Sequence, residues 1–292
     1  MNNFEASYEK ILEFVRTISE KENFLKQIRK PKLSDIELIS INFTSEYLSI
    51  DSECQLFRIL PASLSNKIER SVYNKRKRKL FYAISKIQEL ISNKFNELED
   101  FYIIDSMPLE IVKLSRSRRS KICKEDYKSS PDKGFCASQN MYFYGYKLHA
   151  VCSINGIFKS IDISKASVHD IHYLKDVKEQ LNNCVIIGDR GYISADYQLN
   201  LFENRNITLE VPMRQNQTNY KKQDYIFRKS RKRIETLFSQ LCDQFMIRRN
   251  YAKSFEGFKT RILSKITALT VIQGINKFVF NRNSNNLKIN IA

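Results

Sequence analysis

Three carboxylates, Asp105, Asp189 and Glu235, have the type and placement to do chemistry. Asp105 closes the apolar run "FYIID", and Asp189 follows the apolar run "CVIIG". Each reads as the end of a short strand followed by a turn, and ligands of open α/β sheets gather at the carboxyl ends of strands. Either acid alone is read more simply as a turn or helix cap. Glu235 is the single acid of "FRKSRKRIETLFSQL", residues 227–241, directly behind Arg228, Lys229, Arg231, Lys232 and Arg233. On a helix, Ile234, Leu237, Phe238, Leu241 and Phe245 form an apolar stripe roughly 100° wide, with Glu235 at its border. A border acid on a helix lying across a sheet can reach acids at the strand ends.

Three converging carboxylates repel, and at least one must be protonated unless a cation joins them. Hard oxygen donors suit Mg²⁺ or Mn²⁺, which keep coordination positions open for water and phosphate. Two such ions about 4 Å apart activate the attacking oxygen and stabilise the leaving oxygen of a phosphodiester. In that reading Arg228, Arg231, Lys232 and Arg233 grip the nucleic-acid backbone beside the metal site.

The formal charge of +17 and a pI near 9.5 make nucleic acid the first partner to consider, because phosphates attract Lys and Arg irrespective of base sequence. No apolar run is long enough to span a bilayer, and "MNNFEASYEK" lacks the basic-then-apolar pattern of a signal peptide. The expectation is a cytoplasmic chain with no membrane partner. The six cysteines are scattered without a C-x-x-C pair and read as reduced, mostly buried thiols. Cys123, Cys136 and His149 lack the close ligand pairs of a structural zinc site.

Residues 1–98 read as helical throughout, with Phe4, Tyr8, Ile11, Leu12, Val15 and Ile18 on one face. "LSDIELIS" offers Ser34 and Glu37 as a capping box, and Asp51 is expected to cap a short helix closed by Pro61. A long helix carrying Leu80, Ile84, Ile87 and Ile91 is expected to begin within "NKRKRK". Lys75, Arg76, Lys77, Arg78 and Lys79 would then oppose the helix dipole, a cost that points to a phosphate partner. A cluster of short helices with one basic member suits a DNA-binding module of helix-turn-helix type. Residues 99–292 read as strand, hairpin of strands around Asn155-Gly156, helix, strand, helix, strand, then helices holding Glu235 and residues 255–280. That order describes an α/β fold, a mixed sheet flanked by helices, with 113–140 expected as a mobile loop. Tyr142, Tyr144 and Tyr146 alternate on one strand face, which favours packing over base stacking.

Taken in order, "LSDIELI", "SVYNKRKRKL", "YIIDSMPL", "YGYKLHAV", "SVHD", "GDRGY" and "RKRIETLFSQL" resemble the DDE transposases of bacterial insertion sequences, with insertion-sequence family 982 nearest. The resemblance spans nearly the whole chain. It implies a ribonuclease-H-like catalytic domain over 99–292 behind an all-α N-terminal DNA-binding domain over 1–98. It implies Asp105, Asp189 and Glu235 as ligands of two Mg²⁺ or Mn²⁺ ions, cleavage at terminal inverted repeats, and attack of the freed 3′-hydroxyl on target DNA by a homodimer on paired ends. His149, His169 and Arg190 lie in matching segments as supporting residues, although both histidines also read as structural. Related enzymes place a Tyr, an Arg and a Lys around the third acid. Here Arg231 fits, but Phe227 and Cys242 stand where the Tyr and Lys would be. Two other readings stay open: a ribonuclease-H-like nuclease without strand transfer, and a non-catalytic DNA-binding protein descended from a transposase.

Overall fold

The computed structural model describes residues 4–95, 100–214, 216 and 220–291. They fall into two compact units, one formed by Met1–Phe95 with Gln240–Ala292 and the other by Asn96–Ser239. The sequence division at 98/99 follows chain order, whereas the packing returns the C-terminal residues to the N-terminal helices.

The first unit is helical: α1 (Phe4–Ile18), α2 (Asp35–Tyr47), α3 (Glu53–Ile59), α4 (Ala62–Ser65), α5 (Arg70–Lys79) and α6 (Phe81–Lys94). The expected capping box is present, with Ser34 Oγ accepting from the Glu37 N–H at 3.1 Å and Glu37 Oε2 accepting from the Ser34 N–H at 2.6 Å. Helix α2 is buried on all sides, including Asp35, Asn42 and Glu46. Asp35, Asn42 and Glu46 are paired: Arg76 Nη2 donates to Asp35 Oδ1 at 2.6 Å, and the Phe24 and Leu25 N–H groups both donate to Asp35 Oδ2 at 2.8 Å. Asn42 Nδ2 donates to Ser264 Oγ at 2.7 Å, and the buried Lys265 ammonium donates to Glu46.

Two expectations for this unit change. Ser52, not Asp51, caps α3, its side chain accepting from the Gln55 N–H at 3.2 Å. The long basic helix is two helices, broken at Leu80. The basic run therefore lies in the last turn of α5, where the helix dipole favours cations instead of opposing them.

The second unit is a six-stranded mixed sheet: β1 (Phe101–Glu110), β2 (Asp132–Cys136), β3 (Met141–Ser153), β4 (Phe158–Lys165), β5 (Cys184–Ile187) and β6 (Ile207–Glu210). Its order is β2-β3-β1-β5-β6, with β4 also on β3. Strands β1 and β4 each pair antiparallel with β3, whereas β5 is parallel to both β1 and β6. Asn155-Gly156 forms the expected hairpin tip, with Gly156 at φ 87°. Helices α7 (Leu174–Gln180) and α8 (Ala195–Arg205) cover one sheet face, where Tyr102, Ile104, Val151 and Ile186 pack with Leu174, Val177, Tyr192 and Leu201. Ile103 and Ile187, which point to the opposite face, are equally buried, so the central strands read as continuous apolar runs.

Helix α9 (Tyr225–Asp243) follows β6, and α10 (Phe255–Gly274) belongs to the first unit, against α2 and α6. The expected stripe on α9 is buried at Ile234, Leu237, Phe238 and Leu241. The segment 113–140 is more ordered than expected: it holds a 3-10 turn at Leu114–Arg116, the buried Cys123 and strand β2.

Candidate active site

Strand β1 does not end at Asp105. It pairs with β3 as far as Glu110↔Gly145, but with β5 only over Phe101–Ile103. Asp105 therefore sits mid-strand yet just beyond the end of the parallel ladder. Pro108 does not break the strand. Because the Ile111 N–H donates to the Tyr144 carbonyl, the odd residues face β3, and Pro108 lies at an outward position that needs no donor.

The last parallel pair is Ile103↔Ile187, and Asp105 and Asp189 each stand two residues past it. Neighbouring strands are about 4.8 Å apart, so equal offsets bring the two acids to the same edge. Asp105 Oδ1 accepts from the Ser106 N–H at 2.8 Å, and Asp189 Oδ1 accepts from the Gly191 N–H at 2.8 Å. Asp189 also caps the 3-10 turn Arg190–Tyr192, so it holds its structural role together with its place at the site.

Burial raises the Asp105 carboxyl to about 7. The Ser106 N–H opposes the rise, Asp189 adds to it, Arg231 opposes it and Glu235 adds the smallest part. Arg231 and Glu235, one helical turn apart on α9, thus both lie within electrostatic reach of Asp105. The buried Arg231 Nε–H has no hydrogen-bond partner among the described residues. Glu235 is exposed. Among the described residues no three His, Cys, Asp or Glu side chains are close enough together to hold one metal ion. The structure thus brings Asp105 and Asp189 together and puts Glu235 nearby without closing the triad. The donor set is all hard carboxylate oxygen, and burial, with smaller additions from Asp189 and Glu235, disfavours ionisation of Asp105 until a cation arrives. Both features fit a divalent ion of the Mg²⁺ type.

The other expected residues divide. Arg228, Lys232 and Arg190 are exposed, and Arg233 is half-buried. Lys75, Arg78 and Lys79 are exposed, but Arg76 and Lys77 are buried, Arg76 on Asp35 and Lys77 on Glu53 at 2.6 Å. These two hold α5 in place and are not free for phosphate. His149 is buried, with Nε2 2.7 Å from Ser164 Oγ. Burial lowers its imidazole to about 4, Asp170 opposing and Lys147 assisting, so it is neutral at pH 7. His169 caps the 3-10 turn Asp170–Tyr173, its Nδ1 accepting from the Ile171 N–H. Cys136 packs with Phe143 and Ala166, and no zinc-like group exists among the described residues.

Sequence reading missed Asp170, Lys147 and Tyr192. Lys147 Nζ donates to Asp170 Oδ1 at 2.9 Å, and Asp170 Oδ2 lies 3.6 Å from where a Cβ on Gly191 would stand. The buried Tyr192 hydroxyl has no hydrogen-bond partner among the described residues, and its pKa is raised by burial and then by Asp170, Asp105 and Asp189. In the sequence, the acid of "SVHD" looks like an ordinary residue at the start of a helical turn.

Residues 96–271, well over half of the chain, match the family model of the transposase DDE domain. The mixed sheet flanked by helices fits the ribonuclease-H-like fold of such a domain, and the chain belongs to the DDE transposase family. It has no significant match among curated proteins or among solved structures. No helix among the described residues is long and apolar enough to cross a membrane.

Proposed function

We propose that this transposase belongs with insertion-sequence family 982, binds the terminal inverted repeats of its element, cleaves there and joins the freed 3′-hydroxyl to target DNA. The observation that carries this reading is the equal offset of Asp105 and Asp189 beyond the Ile103↔Ile187 pair, with Arg231 and Glu235 presented by α9. Asp105, Asp189 and Glu235 would hold two divalent ions, Mg²⁺ or Mn²⁺. When bound, such ions activate the attacking oxygen and stabilise the leaving one.

The chain's own residues do the rest. Hydrogen bonds from the Ser106 and Gly191 N–H groups fix one oxygen of each Asp and leave the others to face the site. Arg231 balances the carboxylate charge, and the exposed Arg228 and Lys232 on the same helix hold the DNA backbone. In the N-terminal domain, proposed as residues 1–98, the exposed Lys75, Arg78 and Lys79 contact the element ends. The acting species is a homodimer on paired ends, in the cytoplasm.

The test is product analysis. Purified protein, a duplex carrying the element's end and Mg²⁺ should yield a nick that leaves a 3′-hydroxyl, followed by strand-transfer products. Cleavage without joining would replace this reading with a simple nuclease. Salt-sensitive binding with no cleavage under Mg²⁺ or Mn²⁺ would replace it with a non-catalytic DNA-binding protein.

A further inference from the structure

On β3, Tyr142, Tyr144, Tyr146, Leu148 and Ala150 share one face, and Ala150 lies opposite Asp105 on β1. The β2–β3 register sets Phe135 opposite Tyr142 and Lys133 opposite Tyr144, so both join that same face. The three tyrosines meet different fates. Tyr146 is buried, its hydroxyl donating to the Ser129 carbonyl at 2.6 Å, and Tyr144 is 9% exposed beneath Lys124, whose Nζ is 5.6 Å from the ring centre. The segment before β2 therefore covers two of the three rings and stops short of the third.

Tyr142 is left 54% exposed and Phe135 48% exposed, with ring centres 5.0 Å apart and planes tilted by 58°. Lys133 Nζ sits 4.0 Å from the centre of the Tyr142 ring. Single exposed apolar side chains are ordinary. A paired set with a cation on one ring, on the face that carries Asp105, is a different matter. Residues 113–133 leading into it carry eight Lys and Arg against three acids.

We infer that Phe135 and Tyr142, with Lys133, form a platform on which an unstacked base of single-stranded DNA rests while the strand runs to the catalytic acids. Aromatic side chains in a basic groove bind single strands in this way, since every base offers a π face and every phosphate a charge. Duplex bases are already stacked on each other and cannot use the rings. Eight residues of strand separate Tyr142 from Ala150, roughly 26 Å, or about eight stacked nucleotides at 3.4 Å each. The platform rests on the reading of DNA as the substrate, and it adds that part of that DNA is unpaired.

The full chain would be titrated with one sequence as a labelled single strand, as a duplex, and as a single strand with abasic sites replacing its bases. Tyr142→Ala and Phe135→Ala should each weaken binding of the intact single strand by about five- to hundredfold. Binding of the duplex and the abasic strand should stay unchanged, and Tyr142→Phe should behave as wild type. Equal losses on all three probes would overturn the platform in favour of a role in folding or charge. So would unchanged binding of all three, or a self-association that Tyr142→Ala abolishes. Wild-type protein that binds duplex but not the single strand would overturn the platform alone. Wild-type protein that binds none of the probes would remove the DNA reading itself.

Discussion

Asp105 and Asp189 follow strands that lie far apart in the chain, yet both stand two residues past the Ile103↔Ile187 pair. The parallel ladder acts as a ruler, so the register of β1 on β5 sets where the two carboxylates meet. A slip of one residue would turn one of them to the opposite sheet face.

Gly191 is held close to this arrangement. A Cβ there would stand 2.9 Å from Asp189 Oδ1, tighter than carbon and oxygen tolerate. Relief comes by moving the Asp189 side chain, which is cheap for folding and damaging for a metal ligand. Gly191→Ala should leave the melting temperature within a few degrees of wild type and lower the cleavage rate by about tenfold or more. Loss of the fold, or full activity, would show that this carboxylate is not constrained in the way described.

Asp105 makes stability depend on pH in a predictable direction. Its carboxyl is raised from the ordinary 3.8 to about 7 in the folded chain, mainly by burial. Below pH 4 the group is neutral whether folded or not, so Asp105→Asn should change stability little. Between pH 4 and 7 the unfolded chain ionises first and wild type loses stability; above 7 the deficit is complete. In EDTA at pH 8, Asp105→Asn should therefore melt higher than wild type, and Mg²⁺ should raise the melting temperature of wild type but not of the variant. A variant that melts lower at pH 8 would refute the assignment of burial as the dominant cause.

The basic run of α5 should separate into two behaviours. Arg76→Ala leaves the buried Asp35 without its guanidinium and should cost about 3–5 kcal/mol of stability. Exposed Lys75, Arg78 and Lys79 should each be replaceable by Ala within about 0.5 kcal/mol. The triple replacement should lower DNA affinity and reduce the slope of log K against log salt by up to about three charges' worth. Thermal melts and a salt titration distinguish the two groups.

Much of this fold follows from local pattern. The capping box at Ser34 and Glu37, the Asn155-Gly156 hairpin and the apolar stripe of α9 are short-range features, and each appears where residue spacing places it. What spacing cannot show is pairing at long range. Arg76 reads as a DNA contact until Asp35, 41 residues earlier, is seen to hold it. Likewise the break at Leu80 is invisible in the sequence, because neither helix carries a Gly or Pro to mark a helix end. At the site, the three acids stood out because an acid after an apolar strand or inside a basic run is locally anomalous. Asp170 and Lys147 did not, since an acid beside a turn and a lysine in a strand look ordinary until a 2.9 Å ion pair joins them.

The central claim is that Asp105, Asp189 and Glu235 act together as ligands of divalent metal. The direct measurement is Mn²⁺- or Mg²⁺-dependent cleavage of an element-end duplex by wild type and by Asp105→Ala, Asp189→Ala and Glu235→Ala, with end binding measured in parallel. The account predicts that each single variant binds the ends with near wild-type affinity and shows no detectable cleavage, because the ligands work as one unit. A Glu235→Ala protein that still cuts and joins at the wild-type rate would contradict it.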